Sequence, residues 1–222
     1  MQEVLDEYWP NTTELTNICR RWSIVYSAKL ANGTKCIVKA GVKNEKGDML
    51  SDGHLGYEEI VGNYSHFINY LGDLTCPCVE PYTVVKDNFA VGVAGFVDGH
   101  APHLLPGIET FTEEEHKAAI FALGKWLAEF HKASRNYAQE FPEEFEKINL
   151  WSEKKGGWQK DNLKPPPIPI NSHTFGLIHG DFHEENVKLS KLPDQKNWKV
   201  TAFDWGDLQR SWYMIDLGTV IF

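Results

Sequence analysis

An α+β fold is predicted for this chain, with an antiparallel sheet and one helix in residues 1–97 and a mainly helical remainder in residues 98–222. Three observations predict it. Runs rich in Thr, Ile, Val, Trp and Tyr crowd the first third, and Asn32-Gly33 separates two of them. The sequence changes character at Asp98-Gly99-His100, after which long helical periodicity takes over. The length, 222 residues, suffices for one large or two small domains and lets roughly 70% of the unfolded surface be buried.

Strands are expected over Glu14–Trp22, Ser23–Leu30 and Thr34–Ala40. Asn-Gly between apolar runs signals a hairpin, because both residues tolerate positive φ. A polar, Gly-containing stretch, Gly41–Gly56, precedes a helix over Tyr57–Leu71, whose Tyr57, Ile60, Val61, Tyr64, Phe67, Ile68 and Leu71 share one stripe. Gly72 ends it, and strands over Val79–Val85 and Phe89–Phe96 come next, joined by Lys86-Asp87-Asn88. Beyond the connector, Thr112-Glu113-Glu114-Glu115 forms a capping box. It opens a helix running to about Ser134, with Ile120, Leu123, Leu127 and Phe130 expected inward. Gly156-Gly157 and the run Pro165-Pro166-Pro167-Ile168-Pro169 are incompatible with helix. Gly176-Leu177-Ile178 and Lys199–Phe203 are short strands around a polar loop, and no internal repeat is present.

Composition removes several function classes. With 42% apolar and 13% aromatic residues, eight of them Trp, the chain is neither disordered nor of low complexity. Its 31 acids against 22 bases give a formal charge of −9, and acids are in excess both before and after position 98. That balance opposes a nucleic-acid footprint and a polybasic membrane patch. No apolar run approaches the roughly 18 residues needed to cross a bilayer, and the N-terminus, Met-Gln-Glu-Val-Leu-Asp-Glu, is acidic where a signal peptide is basic. Cys19, Cys36, Cys76 and Cys78 are too few for a disulfide scaffold and wrongly spaced for zinc. Reduced, packed thiols in a cytoplasmic protein are expected.

The densest chemistry lies in His179-Gly180-Asp181-Phe182-His183-Glu184-Glu185-Asn186, with Phe203-Asp204-Trp205-Gly206-Asp207 downstream. An Asp, an Asn five residues later and a second Asp after the next strand supply hard oxygen groups. A Mg²⁺-dependent phosphoryl transferase needs that set: one carboxylate for the attacking hydroxyl's proton, an amide oxygen and a carboxylate for the metal. Lys39 ends the third strand about 20 residues before Glu58 and Glu59, an arrangement that pins the α- and β-phosphates. Either Glu58 or Glu59 is expected to pair with Lys39, since both flank the apolar stripe. His179 and His183 are expected to fix the loop by hydrogen bonds, and Glu140, Glu143, Glu144 and Glu146 to form a solvated face.

These motifs resemble the aminoglycoside phosphotransferase and choline kinase family, small-molecule kinases with the protein-kinase-like fold. His179-Gly180-Asp181-Phe182-His183-x-x-Asn186 is similar to its His-Gly-Asp-x-His-x-x-Asn loop. Phe203–Asp207 through Asp216-Leu217 is similar to its metal-binding strand and the Asp-Leu pair beyond that strand. Residues 109–131, ending Leu127-Ala128-Glu129-Phe130-His131, resemble its long helix. The resemblance implies a bilobal fold with a nucleotide cleft, residues 1–97 being the nucleotide-binding lobe and 98–222 the catalytic lobe. By it, Asp181 is the general base or hydroxyl-orienting carboxylate, and Asn186 and Asp204 are Mg²⁺ ligands. Lys39 holds the phosphates, the backbone of Gly95-Phe96-Val97 bonds adenine, and Asp216 buttresses the loop.

Two departures stand out. Residues 15–26, where a phosphate-covering loop is expected, hold no glycine, so other amides or Arg20 and Arg21 must serve, leaving ATP and GTP both open. The sequence also stops at Val220-Ile221-Phe222, where relatives continue, so the catalytic lobe is expected to be truncated. The function expected is transfer of the γ-phosphate of ATP or GTP to a hydroxyl of a small molecule, an amine-bearing one among the candidates, in line and with Mg²⁺. The alternatives are a kinase-like nucleotide-binding module without turnover, and a metal-dependent hydrolase using His179, Asp181 and His183. The hydrolase leaves Asn186 and Asp204 without a role.

Overall fold

In the computed structural model, residues 2–20, 24–42, 64–99, 112–150, 168–193 and 197–221 are described. They fall into two units, Met1–Val97 and Asp98–Phe222. The first is built on β1 (Thr13–Arg20), β2 (Ile24–Lys29), β3 (Lys35–Val42), β4 (Cys78–Lys86) and β5 (Phe89–Gly95). These form one antiparallel sheet in the order β1-β2-β3-β5-β4, with β3 in the middle. The predicted hairpin joins β2 to β3. Gly33 takes φ 85°, the Asn32 side chain accepts from the Thr34 amide at 2.9 Å, and Leu30 N–H bonds the Thr34 carbonyl at 2.9 Å.

The period of two along β3 sorts its side chains. Cys36, Val38 and Ala40 are fully buried, and Lys39 therefore lies on the opposite face, opposite Val25 of β2 and Gly92 of β5. The buried face packs on a helix that the sequence does not signal, α1 (Gln2–Tyr8), through Val4 and Leu5 and the following Trp9. The helix expected over 57–71 is described from residue 64. It runs as α2 (Ser65–Tyr70), with Tyr64, Phe67 and Leu71 buried as the stripe requires, and Gly72 turns the chain at φ 56°. Residues 57–63, with Glu58 and Glu59, lie outside the described residues.

In the second unit the capping box forms as predicted. Thr112 Oγ1 accepts from Glu115 N–H, and the Glu115 carboxylate accepts from Thr112 N–H, at the start of α3 (Glu113–Glu140). The helix is longer than expected, and its buried positions, Trp126, Leu127, Phe130, His131, Ser134 and Tyr137, all lie from its midpoint onward. Ile120, expected inward, is 68% exposed. It shares the face of Leu127, seven residues on, yet lies more than a turn before the buried stretch that begins at Trp126, so angular position alone does not decide burial. A short α4 (Pro142–Lys147) follows.

Two hairpin-like ribbons complete the unit. β6 (Phe175–Ile178) pairs with β9 (Gln209–Trp212), and β7 (Val187–Lys191) pairs with β8 (Trp198–Ala202), both antiparallel. α5 (Met214–Ile221) follows β9. The nesting of one ribbon's strands inside the other's in sequence brings the β6–β7 and β8–β9 connections together, and those connections carry the predicted chemistry. No helix among the described residues is long and apolar enough to cross a membrane.

Candidate active site

The loop from His179 to Asn186 is braced from below by Asp216, which the first turn of α5 places in full burial. Its Oδ2 accepts from His131 Nε2 at 2.9 Å and from the His179 amide at 3.1 Å, and its Oδ1 accepts from the Gly180 amide at 2.9 Å. One carboxylate thus satisfies two loop amides and a side chain of α3. His131 belongs to the Leu127–His131 segment noted in the sequence, but its partner 85 residues away is not legible there. The same holds for Ser134, whose hydroxyl accepts from the Leu177 amide at 2.6 Å and lies 3.3 Å from Tyr213 Oη.

Aromatic rings form the floor. Trp126 stacks on Phe182 at 4.7 Å and on Phe130 at 5.2 Å between centroids, and Trp205 lies 4.5 Å from His179. His179 itself is fully buried. Its Nε2 is 3.0 Å from the Phe203 carbonyl, which can only accept, so the proton sits on Nε2 and Nδ1 keeps a buried lone pair without a partner. Burial pushes its pKa below the ordinary histidine value, against the opposing pull of Asp216.

That displacement has a stability consequence. The folded state holds a neutral ring where the unfolded chain binds a proton, so stability falls as pH drops below about 6.5, by about 1.4 kcal/mol per pH unit, until the folded pKa is reached. The urea midpoint of the second unit should therefore decline between about pH 6.5 and 5. His179→Gln, which keeps a donor for Phe203, should flatten that segment; equal slopes in the two proteins would refute the assignment.

At the loop's centre, Asp181 receives four hydrogen bonds from Asn186 and His183, one of them from the His183 backbone N–H to the Asp181 carbonyl at 3.1 Å. Asn186 Nδ2 lies 2.9 Å from both the Asp181 carbonyl and Asp181 Oδ2, and two acceptors identify that atom as the amide nitrogen. Oδ1 of Asn186 is then the side-chain atom left to meet a cation. His183 Nε2 lies 3.2 Å from the same Asp181 Oδ2. The Asn186 carbonyl accepts from Phe203 N–H at 3.0 Å, which ties the end of β8 to the end of the loop. The next residue, Asp204, is exposed and takes the left-handed conformation at φ 65°, ψ 67°, which Asp tolerates better than most residues. The structure therefore gathers Asp181, Asn186 and the backbone leading into Asp204 at one place.

In the first unit, Lys39 lies on the face of β3 away from the buried Cys36, Val38 and Ala40. Within Gly95-Phe96-Val97, Gly95 N–H donates to the Pro77 carbonyl at 3.0 Å and Phe96 N–H to the Lys35 carbonyl at 3.2 Å. Among the described residues, the donor this leaves in the stretch is Val97 N–H. Glu58, Glu59 and Arg21 lie outside the described residues.

The hydrolase alternative requires His179, Asp181 and His183 to converge on a metal. His179 instead faces the Phe203 carbonyl from full burial, while His183 bonds Asp181. Among the described residues no group of three or more His, Cys, Asp or Glu side chains is placed to hold a metal ion. Cys36, Cys76 and Cys78 are free thiols, and burial pushes the Cys78 thiol up to about 11.

A five-stranded antiparallel unit followed by a unit with this loop and brace gives the protein-kinase-like α+β fold expected from the sequence. The profile described as "Phosphotransferase enzyme family" matches residues 66–222, and the chain belongs to that family. Amicoumacin kinase of Bacillus subtilis (strain 168) is 24% identical over an alignment of 135 residues that covers 53% of this chain and 37% of that protein. The match thus spans little more than a third of the curated relative's length. Among solved structures, an amicoumacin kinase in complex with AMP-PNP, Ca²⁺ and Ami superposes with a TM-score of 0.69 at 17% identity, covering 99% of this chain and 68% of that one. Spectinomycin phosphotransferase in complex with ADP and spectinomycin gives 0.55 at 12% identity, over 97% of this chain and 70% of that one. An aminoglycoside-3′-phosphotransferase of type VIII gives 0.51 at 18%, over 89% and 72%.

Proposed function

We propose that this chain is a small-molecule kinase that moves the γ-phosphoryl group of ATP or GTP to a hydroxyl of a small acceptor, amine-bearing molecules among them, by direct in-line transfer with Mg²⁺. The observation that carries the reading is the bonding of Asp181. Its Oδ2 is occupied by donors from Asn186 and His183, which leaves Oδ1 to receive the acceptor's proton. As the acceptor oxygen forms its bond to the γ-phosphorus, the bond to the bridging oxygen breaks and the nucleoside diphosphate leaves.

The donor set fits a hard cation. Asn186 through Oδ1 and Asp204 through its exposed carboxylate would hold Mg²⁺, which prefers oxygen ligands and, when bound, draws charge from the phosphate oxygens. Lys39 would hold the α- and β-phosphates, paired with Glu58 or Glu59. Val97 N–H, with the carbonyls of the Gly95–Val97 stretch, would bond the base. Free thiols in the described residues support a cytoplasmic setting.

Nucleotide with Mg²⁺ is expected to raise the melting temperature by mass action, by the equivalent of about 2.7 kcal/mol at a hundredfold excess over Kd. Asp204→Ala should abolish the shift. Asp181→Asn, whose amide oxygen can still accept where Oδ2 does, should keep it while turnover drops about 10²- to 10⁴-fold. Absence of any shift with ATP or GTP at millimolar concentration would sink the kinase reading. A shift without nucleoside diphosphate release, across sugars, amino alcohols and aminoglycosides, would favour a binding module.

A further inference from the structure

We propose that His183 is a positioning residue for the reaction above: it selects which oxygen of Asp181 acts as the base. The ring's other nitrogen fixes the tautomer. His183 Nδ1 accepts from the Glu185 backbone N–H at 3.2 Å, capping the single turn Glu184–Asn186. A backbone N–H can only donate, so Nδ1 carries the lone pair, and the proton of the neutral ring sits on Nε2.

Nε2 has two polar neighbours, Asp181 Oδ2 at 3.2 Å and Asn186 Nδ2 at 3.1 Å. Only the oxygen can accept, because the Asn186 nitrogen is itself a donor to Asp181. The Nε2–H bond therefore runs to Oδ2, where the Asn186 N–H already ends. Two donors on one carboxylate oxygen withdraw its electron density and hold the group against rotation about χ2, a torsion that is otherwise broad. The other oxygen, Oδ1, is left as the better base in a fixed direction. The Asp181 side chain is 47% exposed and that of His183 33% exposed, so the pair lies at the surface where an acceptor can reach it.

This inference rests on the kinase reading and assigns His183 more than the loop-fixing role that the cap alone would require. The two roles separate cleanly, because Asn and Gln each preserve one of them. The amide oxygen of His183→Asn can take over from Nδ1 and keep the cap, but offers no donor to Asp181. The amide nitrogen of His183→Gln lies at the distance of Nε2 and keeps the donor.

The test is the rate of nucleoside diphosphate release from Mg²⁺-ATP and Mg²⁺-GTP, with water and with ethanolamine as acceptors, for wild type, His183→Asn, His183→Gln and Asp181→Asn. His183→Asn is expected to lower kcat about tenfold or more with KM for nucleotide within about twofold of wild type, since misorientation of a reacting group acts on the chemical step. His183→Gln should recover most of that loss. Full turnover in His183→Asn, or a loss in His183→Gln equal to that in His183→Asn, overturns the positioning role while leaving the kinase reading intact. An Asp181→Asn protein as active as wild type overturns the kinase reading and this inference with it. In the wild type and in Asp181→Asn, which keep the ring, ¹⁵N-resolved imidazole spectra report the His183 tautomer independently of turnover. A proton on Nδ1 of His183 in the wild type also overturns the inference.

Discussion

Asp216→Ala is expected to destabilise the second unit by about 3–5 kcal/mol, the cost of leaving three buried donors without an acceptor, reduced by whatever water enters the vacated space. The three are His131 Nε2 and the amides of His179 and Gly180, all within 3.1 Å of a carboxylate with no solvent exposure. Domains are stable by only about 5–15 kcal/mol, so a change of this size brings much of the population close to unfolding. Asp216→Asn should lie between, because its amide oxygen can serve the two donors that meet at Oδ2 while its NH₂ opposes Gly180 N–H. Urea unfolding followed by tryptophan fluorescence measures both, since Trp126 and Trp205 lie in the aromatic floor beneath the loop. The expected order of midpoints is wild type, then Asn, then Ala, with similar m-values. An Asp216→Ala protein within about 1 kcal/mol of wild type would show that the brace is dispensable.

The reach of this brace explains what the sequence could and could not reveal. The candidate set Asp181, Asn186 and Asp204 is visible in the sequence because its spacing is the one the proposed chemistry would need, and the hairpin at Asn32-Gly33 and the cap at Thr112 are legible because a few adjacent residues determine them. The link from His131 to Asp216 crosses 85 positions and involves two residue types that are usually solvated, so no local signal marks it. β9 is hidden for a related reason: Gln209 and Ser211 are buried on a strand of four residues, where an apolar alternation would be sought. α1 escapes because seven residues with two buried side chains carry too little periodicity. Ile120 misleads in the opposite sense, since its place on the helical stripe is right and only its height along α3 leaves it exposed. Burial of a stripe is set by the length of the surface it meets, and that length is a tertiary quantity.

Gly180→Ala should cost both stability and turnover, because two separate constraints meet at that position. The backbone has φ 81°, a region that costs an L residue roughly 1–2 kcal/mol. A Cβ there would also collide with the Asp207 carbonyl oxygen and sit 3.1 Å from both the carbonyl carbon and Cβ of Asp207. The obstacle is backbone, so no rotamer relieves it. Either the loop ahead of Asp181 or the turn Trp205–Asp207 behind Asp204 must move. Overpacking of this kind adds about 1–3 kcal/mol, and a displacement of about 1 Å between groups that act together can cost about a hundredfold in rate. Gly176→Ala provides the contrast. Its Cβ would meet side chains, Tyr213 Oη and Ser134 Oγ, away from the loop, and Gly176 is not among the residues with positive φ. Gly176→Ala should therefore lower the melting temperature while each folded molecule keeps its turnover. Gly180→Ala should lose turnover even at temperatures where circular dichroism shows it folded. Equal loss per folded molecule in the two variants would mean that the close approach of Gly180 to Asp207 serves packing alone.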